Sequence, residues 1–324
     1  MTIVSYAQNG EDVMLMRALK SIKKGFYIDV GANHPSDDSV TRMFYDAGWS
    51  GINIEPLAEH IEQLKLARPR DINIQVAVGA ESGEITLFNT PVRGLATASS
   101  AVADRHALSG LATSCSVVPM RPLKEICAEY LCEENVHFLK IDVEGFEEDV
   151  LKGMDLQLIR PWVILVEATL PNSQEINIKW EPIILSAGYQ WVYFDGLNRY
   201  YLADEHAEFR SAFDAPPNVF DDFITAEQQR LRTQLHDTLK IAEREWVRAN
   251  DMASQLEQAN QTIQSIQCEL EELYASKSWA LTRPLRHVMG WARTVRTTLP
   301  KKKIDIYKKL TTLCQRKKLR ASPK

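Results

Sequence analysis

The sequence predicts an α/β fold: a mostly parallel sheet with helices on both faces, closed by a C-terminal antiparallel hairpin and followed by a coiled-coil helix. Short apolar runs, among them FYIDV at 26–30 and the uniformly apolar PWVILVEA at 161–168, read as buried strands, and segments of helical spacing separate them. Asp195-Gly196 between two aromatic runs is a hairpin signal. From Thr225 to Lys277 there is no Gly or Pro, and apolar residues step by three and four.

Taken in order, residues 5–19 predict a short helix entered through Gln8, Asn9, Glu11 and Asp12, with its acids near the positive end of the helix. Residues 25–56 then read as strand, glycine turn, helix and second strand. Asp29 lies inside the first apolar run, and Gly31-Ala32-Asn33 break it where the chain turns. Val40, Met43, Phe44 and Ala47 share a helical face across 39–47, Gly48 ends it, and the strand at 52–54 closes on Glu55-Pro56. A helix is expected at 58–67, strands at 72–78, 84–89 and 116–120, and a helix at 123–130. The small, polar run at 93–115 is a candidate binding loop. The strand at 137–143 leads into Glu144-Gly145, and the one at 161–168 ends on another acid, Glu167. A helix around 181–187 precedes the hairpin.

At 324 residues the length suits about two domains. The N-terminus lacks a basic region followed by an apolar stretch, so no secretory signal is read, and no run of about eighteen apolar residues predicts a membrane span. Five cysteines without a CxxC pair suit a reducing, cytoplasmic setting. Cys127, Cys132 and His137 match no zinc-ligand spacing.

The division expected is a catalytic domain at 1–212, a linker at 213–224 around Ala215-Pro216-Pro217-Asn218, a coiled coil at 225–278 and a basic amphipathic tail at 279–324. The seam runs through Leu239, Ala242, Trp246, Ala249, Met252, Leu256, Ala259, Ile263, Ile266, Leu270 and Leu273, with a stammer at Ala249. The net charge of −5 hides an asymmetry: from Trp279 onward there are fourteen Lys and Arg against the single acid Asp305. An acidic body with a basic tail predicts contact with an anionic membrane surface through 279–324. Nucleic acid is the weaker partner, because an acidic body repels a polyanion.

In open α/β sheets ligands sit beyond the carboxyl ends of the strands, and an acid about twenty residues after the glycine turn can grip ribose hydroxyls. Glu55 stands there, but DVGAN replaces the GxGxxG of a dinucleotide site. This DxGxN turn with its acid looks like the cofactor motif of class I S-adenosylmethionine methyltransferases. Residues 5–205 as a whole resemble the FkbM family of these enzymes, through SYAQNGED, FYIDVGANHP, GWSGINIEP, VAVG, VVPMRPLKEI, LKIDVEGFE, ILVEA and FDGLNRYYL in that order. The resemblance implies a Rossmann-like class I methyltransferase fold, S-adenosylmethionine as cofactor and hydroxyl groups on sugars or secondary metabolites as acceptors. It carries Asp29, Gly31 and Asn33 to the cofactor turn, Glu55 to the ribose, and Asp142 with Glu144 to the acidic pair after the fourth strand. Val40 departs from it, standing where the HPxxxSNT form has Asn.

An acceptor hydroxyl must be aligned behind the methyl and relieved of its proton. Asp142 and Glu144 are the expected catalytic groups, with His34 as a second possible base. The same carboxylates, with Glu167, could instead hold Mg²⁺ through oxygen ligands, and the residues leave base and metal open. For Glu144 a plainer role, stabilising the next helix N-terminus with Glu147 and Glu148, also stays open. SWALTRPLR resembles a segment found beside coiled coils in bacterial surface-polysaccharide enzymes. The expected protein is therefore a cytoplasmic O-methyltransferase of a glycan or lipid-linked sugar, homo-oligomeric through the coiled coil and peripheral at the inner membrane face. Small secondary metabolites are the alternative acceptors.

Overall fold

The computed structural model describes residues 2–89, 96–99, 102–104, 114–131, 135–171 and 173–297, with side chains to residue 290. Most of the candidate loop at 93–115, the lysine clusters from 301 onward, Cys132 and Cys314 lie outside these residues. The strands are β1 (Ile3–Ser5), β2 (Phe26–Val30), β3 (Ser50–Ile54), β4 (Ile72–Ile74), β5 (Ala77–Val78), β6 (Gly83–Asn89), β7 (Ser114–Arg121), β8 (Phe138–Ile141), β9 (Val163–Glu167), β10 (Tyr189–Phe194), β11 (Asn198–Ala203) and β12 (Phe223–Thr225). The helices are α1 (Glu11–Ala18), α2 (Arg42–Asp46), α3 (Ala58–Ala67), α4 (Leu123–Tyr130), α5 (Glu147–Lys152), α6 (Glu181–Ser186), α7 (Ala226–Ala275), α8 (Lys277–Leu281) and α9 (Arg283–Thr297).

The main sheet has the order β4-β3-β2-β8-β9-β11-β10, and every pairing is parallel except the two made by β11. Alternate residues feed two cores, which is why the strands read as unbroken apolar runs. Ile28, Ile52, Leu139 and Ile164 pack on one face, and Tyr27, Phe138, Val163 and Leu165 on the other, where Met14 and Leu15 of α1 cover them.

The hairpin forms as expected, with Asp195 accepting the amides of Leu197 and Asn198 in its turn. Its second strand, not its first, lies beside β9. Burial explains the order: β11 is buried along almost its whole length, whereas β10 exposes Gln190 and Trp191, so β10 takes the edge. The run at 72–78, expected as one strand, divides between β4 in the main sheet and β5 in a separate sheet of order β5-β7-β6. The expected helix at 39–47 shortens to α2, because the Ser39 and Thr41 hydroxyls are hydrogen-bonded to Arg68 and Asp29.

The segment read as a linker at 213–224 is held along much of its length. Arg17 donates to the carbonyls of Ala212, Ala215 and Pro216 and pairs with Asp221 at 2.6 Å. Phe213 is buried, and β12 pairs in parallel with β1.

A second compact unit begins at His236. Here α7 runs unbroken for 50 residues and none of them is buried. Its seam residues Leu239, Trp246, Met252 and Leu256 are all exposed. Ser276 ends it with an extended backbone and caps α8 by accepting the Trp279 amide at 3.3 Å. Leu281, Leu285 and Val288 are exposed, and the Arg286 guanidinium lies over the Trp279 ring. No helix among the described residues is long and apolar enough to cross a membrane.

Candidate active site

The carboxyl ends of β2 and β8 meet where the strand order reverses, the place at which open α/β sheets bind ligands. They are tied closely: the Asp142 amide donates to Val30 O at 3.1 Å. Gly31 follows with φ +79°, and a Cβ there would stand 1.8 Å from the Asp142 carbonyl oxygen. Asn33, also left-handed at φ 48°, donates its amide to Glu55 Oε2 at 2.9 Å. Glu55 Oε1 accepts the Leu57 amide at 2.9 Å. Glu55 thus clamps the turn after β2 to the chain after β3, and lines the cavity beside Gly31 and Asn33.

Asp29 lies beneath this turn, only 1% exposed, and is not part of the cavity wall. There it anchors the turn expected to hold the cofactor. Thr41 Oγ1 donates to its Oδ2 at 2.8 Å, and Lys140 Nζ stands 3.5 Å from its Oδ1. Lys140 also donates to Gly31 O at 3.0 Å and pairs with Asp142 Oδ2 at 3.2 Å. Burial alone would lower the lysine pKa, but Asp142 and Asp29 outweigh it and hold the ammonium charged. The fully buried Arg68 donates to Pro35 O, Ser39 Oγ and Thr41 Oγ1, fixing the loop behind the turn. Sequence reasoning missed both residues. A lysine inside the apolar run FLKI was a signal, since such a charge needs a partner; nothing local distinguished Arg68.

A cavity of about 940 Å³ extends from this turn to Asp142, Glu144 and Glu167, and is walled elsewhere by Gln8, Glu11, Leu57, Val76, Val78, Phe146 and Asn198. One carboxylate oxygen from each of Asp142, Glu144 and Glu167 lies within 4.8 Å of the others. Burial, then the charges of Asp142 and Glu147, push the Glu144 pKa up to about 9. Burial, then the charges of Asp142, Glu144 and Glu147, raise Glu167 well above the usual carboxylate range. Crowded acids out of water retain protons, so Glu144 on its own is a poor proton acceptor at neutral pH.

Glu147 takes the plainer role left open for Glu144. Its Oε1 accepts the amides of Gly145 at 2.9 Å and Val143 at 3.3 Å, holding the turn on which Glu144 sits at φ 54°. His34 lines the cavity, but its Nδ1 accepts the amides of Ser36 at 3.2 Å and Asp37 at 2.9 Å. That nitrogen is therefore committed to the backbone. His137 Nδ1 accepts the Phe26 amide at 3.1 Å. Glu11, expected to act on its helix, is a cavity wall that accepts from Asn198 Nδ2 at 3.0 Å and the Asn9 amide at 2.7 Å. Burial foremost raises its pKa to about 7.

Asn33 Oδ1, Gln63 Oε1, Asn89 Oδ1, Glu144 Oε2 and Glu167 Oε2 are buried without hydrogen-bond partners among the described residues. With His60 Nδ1 they make six of the ten such atoms among the described residues, and all six belong to residues lining this cavity. Buried polar atoms are ordinarily satisfied, so their concentration here marks a place for polar ligands.

A glycine turn clamped by one acid, facing further acids on the next strand ends, defines an α/β protein with a ligand site at the carboxyl edge of its sheet. Residues 29–207, more than half of the chain, match the Methyltransferase FkbM domain. The chain belongs to that family and is a methyltransferase. No curated protein matches it.

Proposed function

We propose that this protein is an S-adenosylmethionine-dependent O-methyltransferase of a sugar hydroxyl, on a glycan or lipid-linked saccharide at the cytoplasmic face of the membrane. The observation that carries the reading is that one cavity is lined both by the turn that the Asn33–Glu55 bond clamps and by the three carboxylates. S-adenosylmethionine supplies its methyl as an activated sulfonium. Glu55 and the Asn33 carbonyl offer acceptors to ribose hydroxyls and amino groups, and Leu57, Val76 and Val78 offer an apolar wall to a base. Asp142, its side chain 37% exposed and paired with Lys140, is assigned to take the hydroxyl proton. Acceptors without donors suit an acceptor molecule rich in hydroxyls.

Calorimetry on the full chain tests the cofactor end. Glu55→Ala is expected to weaken S-adenosylmethionine binding by about tenfold or more, through loss of a charged hydrogen-bond acceptor; unchanged affinity would sink the assignment. Mass spectrometry of surface polysaccharide from a deletion strain tests the acceptor. A methyl group should be missing, and an unaltered methylation pattern contradicts a glycan acceptor.

The exposed seam of α7 supports self-association as a coiled coil, and the exposed apolar residues of α8 and α9 beside Arg283 and Arg286 support binding to an anionic bilayer. A chain ending at Ala275 is expected to stay oligomeric in sedimentation equilibrium and to stop floating with anionic vesicles. A monomeric full-length chain contradicts the first part, and unchanged flotation the second.

A further inference from the structure

We infer that His60 of α3 is a cofactor-binding residue: its Nδ1 donates to a ribose hydroxyl of S-adenosylmethionine, and that hydroxyl itself donates to Glu55. This role rests on the methyl-transfer reading, to which it adds a residue. His60 and Gln63 stand three apart on α3, the spacing that puts two side chains on one helical face, and both line the cavity. Each holds a buried polar atom, His60 Nδ1 and Gln63 Oε1, with no hydrogen-bond partner among the described residues. Buried polar atoms are ordinarily satisfied, so this face of α3 is turned to a polar ligand.

Glu55 fixes the chemistry of the missing partner. His60 Nδ1 lies 3.8 Å from Glu55 Oε1, beyond hydrogen-bond length. Glu55 takes the Leu57 amide at Oε1 and the Asn33 amide at Oε2, and a carboxylate oxygen holds a second lone pair for a further donor. A group lodged between the carboxylate and an imidazole N–H must donate to the first and accept from the second. A hydroxyl does both, whereas a carbonyl only accepts and an ammonium only donates. Gln63 Oε1, a pure acceptor, is left for a second donor such as the neighbouring hydroxyl. Glu55 alone would grip the sugar from one side. With His60 the slot is two-sided, and it rejects a deoxyribose because the imidazole donor would be left buried and unpaired. Water shares the hydroxyl's two-way bonding, so dependence on the sugar hydroxyl is the property to measure.

Calorimetry on the full chain, with S-adenosylhomocysteine and its 2′-deoxy and 3′-deoxy analogues, reads the slot. The parent is expected to bind one of the two deoxy analogues about tenfold more weakly than S-adenosylhomocysteine. His60→Phe should bind S-adenosylhomocysteine about tenfold more weakly than the parent does. It should lose little further when that hydroxyl is removed, the non-additivity expected of two partners in one hydrogen bond. His60→Asn, whose side-chain amide can donate as Nδ1 does, should keep most of the affinity. A parent indifferent to both hydroxyls, His60→Phe with parental affinity, or a loss in His60→Phe of equal size for all three ligands overturns the role of His60 and leaves the cofactor reading standing. A parent that binds no S-adenosylhomocysteine overturns both. Should His60→Phe lack the parental circular dichroism, His60→Ala decides by the same comparison.

Discussion

Lys140→Met should cost about 3–5 kcal/mol of stability, the range seen when one partner of a buried ion pair is removed. Methionine fills much the same space but offers no charge. Asp29, 1% exposed, would keep only the Thr41 hydroxyl among the bonds described for its carboxylate, and Gly31 O would lose its donor. The damage is then local to the cofactor turn, so S-adenosylmethionine affinity should fall together with stability. Lys140→Arg should not rescue either property, because a planar guanidinium cannot occupy the point that one ammonium shares among Asp29, Asp142 and Gly31 O. Urea denaturation reads the effect as a lower midpoint at unchanged slope. A shift within about 0.5 kcal/mol, typical of surface positions, would show that the lysine does not hold the turn.

Gly31→Ala should be at least as damaging. Left-handed backbone alone costs alanine about 1 kcal/mol. The larger cost is steric, since the new Cβ would lie 1.8 Å from the Asp142 carbonyl oxygen and 2.9 Å from its carbon. A flexible side chain could swing away from such a contact; a backbone carbonyl at the end of β8 cannot, without breaking the Asp142 to Val30 hydrogen bond. The expected result is a loss of about 3 kcal/mol or more, or no folded protein, with the turn pushed away from the carboxylates. Gly83→Ala is the control. No atom lies within 4 Å of its Cβ position, so its denaturation midpoint should match the parent. Equal stability of the two variants would mean that the close approach of β2 and β8 is not required.

Much of the frame was legible. The unit from β2 to β3 follows the expected order of strand, glycine turn, helix and strand, and α4 spans the residues expected of it. The acids at the ends of β8 and β9 do converge with the glycine turn on one cavity. Less legible was the side sheet, because nothing in the run at 72–78 marks a break: it contains neither Gly nor Pro. The position of β11 was hidden because a hairpin signal gives the turn and not the neighbour. The roles of individual polar residues were hardest to read. Asp29 and Glu55 look alike as strand acids, yet one lies under the turn and the other lines the cavity. Glu144 and Glu147 both belong to the FLKIDVEGFE run, yet only Glu147 accepts backbone amides there.

By itself the sequence determined the succession of elements, the glycine turn, the acids available at the strand ends and the long apolar seam of α7. These are local properties, carried by periodicity and by the backbone freedom of glycine. The tertiary structure alone decided which acids face the cavity, which are anchors, and which cations serve them. The reason is distance along the chain: Lys140 reaches Gly31 across 109 residues, and Arg68 reaches Thr41 across 27. A carboxylate's role depends on what surrounds it, and here those surroundings arrive from strands and loops that only folding brings together.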